Sequence, residues 1–121
     1  MRLRTSTLLT ITALLATAMQ TQAQELSELW GNNAQSSAAA TIEQFDKTTG
    51  DLNLTYRGAV GNGRGIVVVG DIVYYTMVGD PVIHMMSAST GVDLGGITTS
   101  VASMSTIAWD GSTFWTSDYS G

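Results

Sequence analysis

The stretch that decides the fold class is Ile107-Ala108-Trp109-Asp110-Gly111-Ser112-Thr113-Phe114-Trp115-Thr116-Ser117-Asp118. Two runs rich in β-branched and aromatic residues flank a compact Asp-Gly-Ser turn, and this pattern predicts a β-hairpin with strands at Thr106–Trp109 and Thr113–Ser117. Short runs of the same kind, separated by turn residues, extend back along the chain to Thr41. They predict strands at Thr41–Asp46, Leu52–Arg57, Ile66–Val69, Ile72–Met77, Val82–Ser87 and Leu94–Thr98. The sequence therefore predicts an all-β protein.

The chain also resembles itself when it is shifted by 41 positions. Residues 42–80 then align with residues 83–121 without a gap, with identities at Ile42/Ile83, Thr49/Thr90, Gly50/Gly91, Val60/Val101, Ile66/Ile107 and Gly70/Gly111. The starts of the predicted strands coincide as well. A four-stranded unit of about 40–45 residues is typical of a β-propeller blade, since a single such sheet buries both faces only when neighbours cover it.

This unit resembles the blades of the broad propeller superfamily that includes NHL-type, quinoprotein-like and gluconolactonase-like or virginiamycin-lyase-like repeats. Residues 107–118 resemble the two inner strands of such a blade. Ile83–Ser87 with Ser89-Thr90-Gly91 resembles the third strand and the turn that follows it, and Ile42–Asp46 with Thr49-Gly50 repeats that half. Tyr56 and Ile97 stand where quinone propellers carry Trp, which is a departure from the quinoprotein pattern.

The phase of the repeat predicts about two blades of four-stranded antiparallel sheet in a truncated chain. Residues 42–57 supply two outer strands of one blade, residues 66–98 a whole second blade, and residues 107–117 the inner pair of a third. Closed propellers need about four to eight blades, so we expect residues 42–121 to be a partial propeller at the N-terminal side of a longer protein. We expect the exposed edge of its last two strands to make the chain aggregation-prone on its own.

Residues 1–23 have the plan of a secretory signal peptide. Arg2 and Arg4 precede an apolar run, Leu8–Met19, and Thr21-Gln22-Ala23 ends in the small residues that signal peptidase prefers. The apolar run is shorter than the roughly 20 residues that span a bilayer, so no transmembrane segment is expected after cleavage. The chain has no Cys, which favours a bacterial secreted or periplasmic protein over a disulfide-stapled eukaryotic one.

Residues 24–41 are interpreted as an N-terminal segment and linker. The spacing of Leu26, Leu29 and Trp30 allows a short helix, and a single strand through Leu29-Trp30 is the alternative. The following stretch, Gly31–Ala40, has no periodicity and is interpreted as a linker.

Composition excludes several classes of site and partner. The absence of Cys excludes disulfides and thiolate zinc sites, and the single histidine, His84, excludes a two-His metal site. The formal net charge of −5 argues against nucleic acid as a partner.

Three side chains are candidate ligand contacts. Arg64 lies in the glycine-rich stretch Gly58–Gly65, which is interpreted as a loop between blades that could present its guanidinium at a propeller face. A strand follows this stretch where a phosphate cradle would need Lys and a helix. Trp115 and Tyr119 belong to an aromatic cluster near the C-terminal side and are the other two candidates.

Asp110 and Asp118 flank the predicted hairpin and are the candidate metal ligands. Enzymatic propellers gather carboxylates around an axial divalent cation such as calcium, which prefers hard oxygen ligands. No Asp-x-Asp-x-Asp loop is present, and Asp side chains in turns usually bond local backbone amides. His84 is interpreted as a surface or inter-blade residue, and Met77, Met85, Met86 and Met104 as core filling.

The sequence thus predicts an exported β-propeller that acts as a binding scaffold for a protein, small-molecule or carbohydrate ligand. No catalytic site and no cofactor is evident in it. The alternative is a metal-dependent enzyme of the lactonase, esterase or lyase type whose axial residues lie mostly beyond Gly121. A quinone-dependent dehydrogenase is a third, weaker alternative.

Overall fold

The structure is a computed structural model that describes residues 28–34 and 39–119. These residues form strands and turns only, which confirms the all-β prediction. The strands are β1 (Glu28–Asn32), β2 (Ala39–Asp46), β3 (Leu52–Val60), β4 (Gly63–Val69), β5 (Ile72–Met77), β6 (Val82–Ser87), β7 (Asp93–Thr98), β8 (Met104–Trp109) and β9 (Phe114–Asp118). The predicted signal peptide lies outside the described residues. Within the described ranges, no helix could span a membrane.

The strands form three antiparallel sheets, each made of strands that follow one another in sequence. The first sheet has the order β1-β2-β3, the middle sheet β4-β5-β6-β7, and the third sheet β8-β9. Apart from the β1–β2 connection, each connection within a sheet contains a glycine at positive φ, which suits a tight turn: Gly50, Gly70, Gly79, Gly91 and Gly111. The predicted hairpin is the third sheet, in which Trp109 pairs with Phe114 across the Asp-Gly-Ser turn.

Two hairpins in different sheets have the same geometry. The β2–β3 ladder shifts register between Gln44 and Phe45, and the β6–β7 ladder shifts between Met85 and Met86. The turns that follow β2 and β6 both contain a glycine at positive φ, Gly50 at 77° and Gly91 at 70°. The turn glycine N–H donates over 2.8 Å to the carbonyl four residues earlier in both cases.

The middle sheet is covered on both faces. One face, with Val73, Tyr75 and Met77 of β5, packs against Ile42 and its neighbours in the first sheet. The other face contributes Tyr74, whose ring lies 4.5 Å from that of Phe114 in the third sheet. Alternate residues of one strand therefore serve two separate cores, as the period of two in a β-strand requires.

Leu29 and Trp30 lie in a strand, which is the second of the two alternatives for this segment. Strand β1 pairs with β2 from Glu28↔Asp46 to Asn32↔Ile42. Gly31 at one end and Ala40 at the other end of the predicted linker are also in strands.

The interpretation of Gly58–Gly65 as a loop is wrong, because only Gly61 and Asn62 lie between β3 and β4. Gly63 and Gly65 instead allow close approach of backbones. A Cβ on Gly65 would lie 2.4 Å from the backbone N of Ile107, and one on Gly63 would lie 2.6 Å from the backbone O of Asn33. The two glycines thus let β4 lie directly against the first and third sheets.

Candidate functional site

Four chain segments meet at one end of the sheets, which we call the Arg64 end. They are the β3–β4, β5–β6 and β7–β8 connections and the residue after β9. Val78 N donates to Asn62 O over 2.9 Å, and Tyr119 N donates to Ser103 O over 2.7 Å. Gly79 N donates to Ser103 Oγ over 3.3 Å. Backbone atoms from all three sheets and their connections are therefore fixed close together here.

A β-bulge in β4 sets the position of Arg64. The β4–β5 register shifts between Gly63 and Ile66, so the regular ladder is interrupted. In place of a regular ladder hydrogen bond, Thr76 Oγ1 accepts from Gly65 N over 2.9 Å. The Asn32 amide of the first sheet donates to Gly65 O and Thr76 O over 3.3 and 3.0 Å. Bulges commonly reorient a side chain in this way.

The Arg64 guanidinium lies against an aromatic ring and has N–H donors without a partner among the described residues. Its central carbon lies 5.3 Å from the centroid of the Tyr119 ring. Nη1 donates weakly to Asn62 Oδ1 over 3.5 Å. Nε is buried and has no hydrogen-bond partner among the described residues, and none of their carboxylates forms an ion pair with this guanidinium. A guanidinium in this state can bind a carboxylate or phosphate through two parallel N–H groups.

Asn32 is a polar residue of this end that the sequence interpretation missed. Its Oδ1 is buried without a hydrogen-bond partner among the described residues, while its Nδ2 joins two strands of the middle sheet. A buried acceptor without a partner costs about 1–3 kcal/mol, so this oxygen is a local cost to stability beside Gly63 of β4. The run Gly31-Asn32-Asn33 gave no signal because nothing local relates it to β4 and β5.

Trp115 lies at the opposite end of its strand from Tyr119. It pairs with Ala108 close to the β8–β9 turn, whereas Tyr119 follows the pair Met104↔Asp118. Both aromatic side chains are exposed, at 62% and 64%. The structure therefore brings Arg64 and Tyr119 together and leaves Trp115 apart from them.

The Asp110 carboxylate accepts hydrogen bonds from residues of its own hairpin. Its Oδ2 accepts from Trp115 Nε1 over 2.6 Å, and its Oδ1 accepts from the backbone N of Ser112 and Thr113 over 2.9 and 2.8 Å. The bond from Trp115, followed by those from the two amides, holds the pKa of the Asp110 carboxyl well below its usual value.

Asp110 and Asp118 are not brought together by the structure. They lie at opposite ends of the β8–β9 hairpin, so a strand of five residues separates them. At about 3.3 Å per residue this places them on the order of 15 Å apart, too far to share one calcium ion. Within residues 28–34 and 39–119 no group of three or more His, Asp or Glu residues could hold a metal ion.

His84 is held by a hydrogen-bond partner and an aromatic ring. Its Nε2 lies 2.9 Å from Asp80 Oδ2, and its ring stacks on that of Tyr75 at 5.1 Å. Met77, Met86 and Met104 are buried in the two cores, which agrees with the expected core filling.

No family model matches this chain, and no curated protein matches it in sequence.

Proposed function

We propose that the chain forms successive blades of an exported β-propeller that acts as a binding scaffold, with the Arg64 end as its ligand face. Export rests on the signal-peptide pattern of residues 1–23. The propeller assignment is based on how the sheets pack. Antiparallel sheets packed face to face, the middle one between the other two, are what radial stacking of blades requires.

Strand registers support the assignment of equivalent blades. Ile66 pairs with Tyr75 in the middle sheet, and Ile107 pairs with Thr116 in the third sheet; both partners differ by 41 positions. The pair Ile42↔Tyr56 and the pair Ile83↔Ile97 differ by the same 41 positions. Equal offsets on both sides of a ladder are expected when one supersecondary unit recurs along the chain.

The close approach of β4 and β8 supports a common axis. Both would be first strands of their blades, and Gly65 of β4 lies against the backbone of Thr106 and Ile107 of β8. In a radial arrangement the first strands are nearest to the axis and therefore nearest to one another. Arg64 would then lie at the axial end of its blade.

The single observation that carries the binding function is the state of Arg64. The guanidinium lies on the Tyr119 ring, no described carboxylate neutralises it, and its Nε is buried without a partner. A carboxylate would accept from the Nη donors of this guanidinium, while the exposed Tyr119 ring would offer an apolar surface beside it. A carboxylate-bearing extracellular ligand, such as an acidic sugar, fits this chemistry. Because the net charge of the chain is −5, attraction depends on local contact rather than on the overall field.

The test compares two sugars that differ only in the carboxylate. D-galacturonate and D-galactose are titrated into the isotopically labelled protein, and the Tyr119 amide and Arg64 Nε–H signals are followed by NMR. We expect saturable shifts with galacturonate alone, and a loss of at least about tenfold in affinity in Arg64→Gln. Arg57→Gln removes a similar charge from β3 and serves as the control, with no change expected at these signals. Equal shifts with both sugars, or unchanged galacturonate affinity in Arg64→Gln, would overturn the proposal.

A further inference from the structure

A second concave site lies between the first and middle sheets, away from the Arg64 end. It is a cleft of about 80 Å³ lined by residues of β3, β5, β6 and β7 and by the turn after β6, including Arg57, Ala59, Tyr75, Gly91 and Asp93. A cleft of this size accommodates several waters or one small organic ion. Nothing in the binding function proposed above uses it.

A buried hydroxyl lines this cleft. Tyr75 is only 4% exposed, and its oxygen accepts the Ala59 N–H over 3.0 Å. A phenol is also a donor, and among the described residues nothing accepts the hydrogen of this hydroxyl. Burial raises the pKa of Tyr75, so the hydroxyl keeps its hydrogen at neutral pH. Buried donors are almost always satisfied, so this one calls for an acceptor inside the cleft.

The rim of the cleft carries one charge of each sign. Arg57 and Asp93 are both exposed and both line the cleft, yet no ion pair joins them. Asp93 Oδ1 accepts from Gly95 N over 2.8 Å, which fixes the carboxylate in its place on β7. Opposite charges held apart across a small cleft complement a molecule that also carries both signs.

We propose that this cleft binds a small zwitterion of the amino-acid class. The ligand carboxylate accepts from the Tyr75 O–H and from the Arg57 guanidinium, and the ligand ammonium lies against the Asp93 carboxylate. Met86 and Gly91 also line the cleft and add no charge to it. The space therefore suits the backbone portion of an amino acid, with any side chain directed to solvent.

Glycine is the probe that tests this site, with acetate and methylammonium as its two halves. Each is titrated into the labelled protein while the amide signals of Ala59 and Gly91 are followed by NMR. We expect glycine to cause saturable shifts there, and each half-molecule to bind at least about tenfold more weakly because it contacts only one charge. Glycine binding no tighter than acetate, or no saturable shift at these amides, would overturn the proposal.

Two substitutions separate the contributions of the cleft. Tyr75→Phe removes only the hydroxyl, and Arg57→Gln removes only the cation; each should weaken glycine binding by about fivefold or more. Lys47→Gln removes an exposed cation from the β2–β3 turn, outside both proposed sites, and is the control that should leave glycine affinity unchanged. If Tyr75→Phe does not fold, Arg57→Gln and Asp93→Asn decide the matter, since both side chains are exposed. Unchanged glycine affinity in the folded variants would overturn the proposal. This result would not affect the galacturonate test of Arg64.

Discussion

Charged side chains in this protein differ in how far away their partners lie. Asp110 is satisfied by Ser112, Thr113 and Trp115, all within five residues of it. Arg64 contacts Tyr119, which is 55 positions away, and the Asn32 amide that stabilises its bulge comes from another sheet. The role of Asp110 in its turn could be predicted from the Asp-Gly-Ser sequence, whereas the setting of Arg64 could not.

The low pKa of Asp110 predicts a pH-dependent contribution to stability. The folded-state pKa lies below the unfolded value of 3.8, so the stabilisation is complete above that value and is lost as the pH falls toward the folded pKa. Asp110→Asn should lower the thermal midpoint at pH 7, and the gap to the unsubstituted protein should narrow below about pH 4.

Melting curves between pH 7 and pH 2 measure this effect. Asp51→Asn is the control in another turn, because no described residue bonds the Asp51 side chain; it should leave the midpoint unchanged. A gap that persists undiminished at pH 2 would contradict the assignment of this carboxylate to the turn.

At the scale of elements, the turns after β2 and β6 share a backbone and differ in surroundings. Gly50 and Gly91 both have positive φ and both close the turn through a 2.8 Å bond. A Cβ on Gly50 would meet nothing within 4 Å, but one on Gly91 would lie 2.2 Å from the Tyr56 ring. Positive φ in a turn follows from local sequence, while contact with the ring of another sheet does not.

Alanine at the two glycines should therefore have unequal effects. Gly50→Ala should cost about 1–2 kcal/mol for the left-handed backbone alone. Gly91→Ala should cost a further ~1–3 kcal/mol because the new methyl group displaces the Tyr56 ring. Urea unfolding of both variants measures the difference.

Tyr56→Leu provides the control for the ring contact. In a double-mutant cycle, the extra cost of Gly91→Ala should shrink when the ring is absent, while the cost of Gly50→Ala should not change. Equal costs for the two alanine variants would indicate that the Tyr56 ring does not restrict the second turn.

At the scale of the whole molecule, stability is concentrated in the middle sheet. Val73, Tyr75 and Met77 of β5 are buried against the first sheet, and Ile83 of β6 is buried toward the third. Every residue of β7 is exposed, and four of the five residues of β9 are exposed. Strand β5 thus lies between two cores, whereas β7 and β9 are largely exposed.

Hydrogen exchange should follow this gradient. We expect the paired amides of β5 and β6 to exchange slowest, because opening them exposes both cores at once. The amides of β7 and β9 should exchange much faster, although β7 is hydrogen-bonded to β6. Mass spectrometry or NMR exchange at neutral pH measures the rates. Protection of β7 equal to that of β5 would contradict a core centred on the middle sheet.

Much of the fold could be predicted from the sequence because the relevant signals are local. β-Branched and aromatic runs such as Ile72–Met77 and turn residues such as Gly70-Asp71 specify strands and their connections without reference to the rest of the chain. The wrong prediction of a loop at Gly58–Gly65 has a physical cause. Glycine permits both a loop and a tight contact between backbones, and sequence alone does not distinguish the two.

The sequence by itself determined the all-β class, the hairpins and the turn glycines, because each depends on residues a few positions apart. Only the tertiary structure decided which side chains meet. Packing of the sheets brings Asn32 and Tyr119 to Arg64 and places Tyr75 in a cleft with Arg57 and Asp93. It also keeps Asp110 away from Asp118. Whether side chains from different sheets meet depends on the distance and relative position of sheets that are far apart along the chain. The local sequence does not encode these quantities.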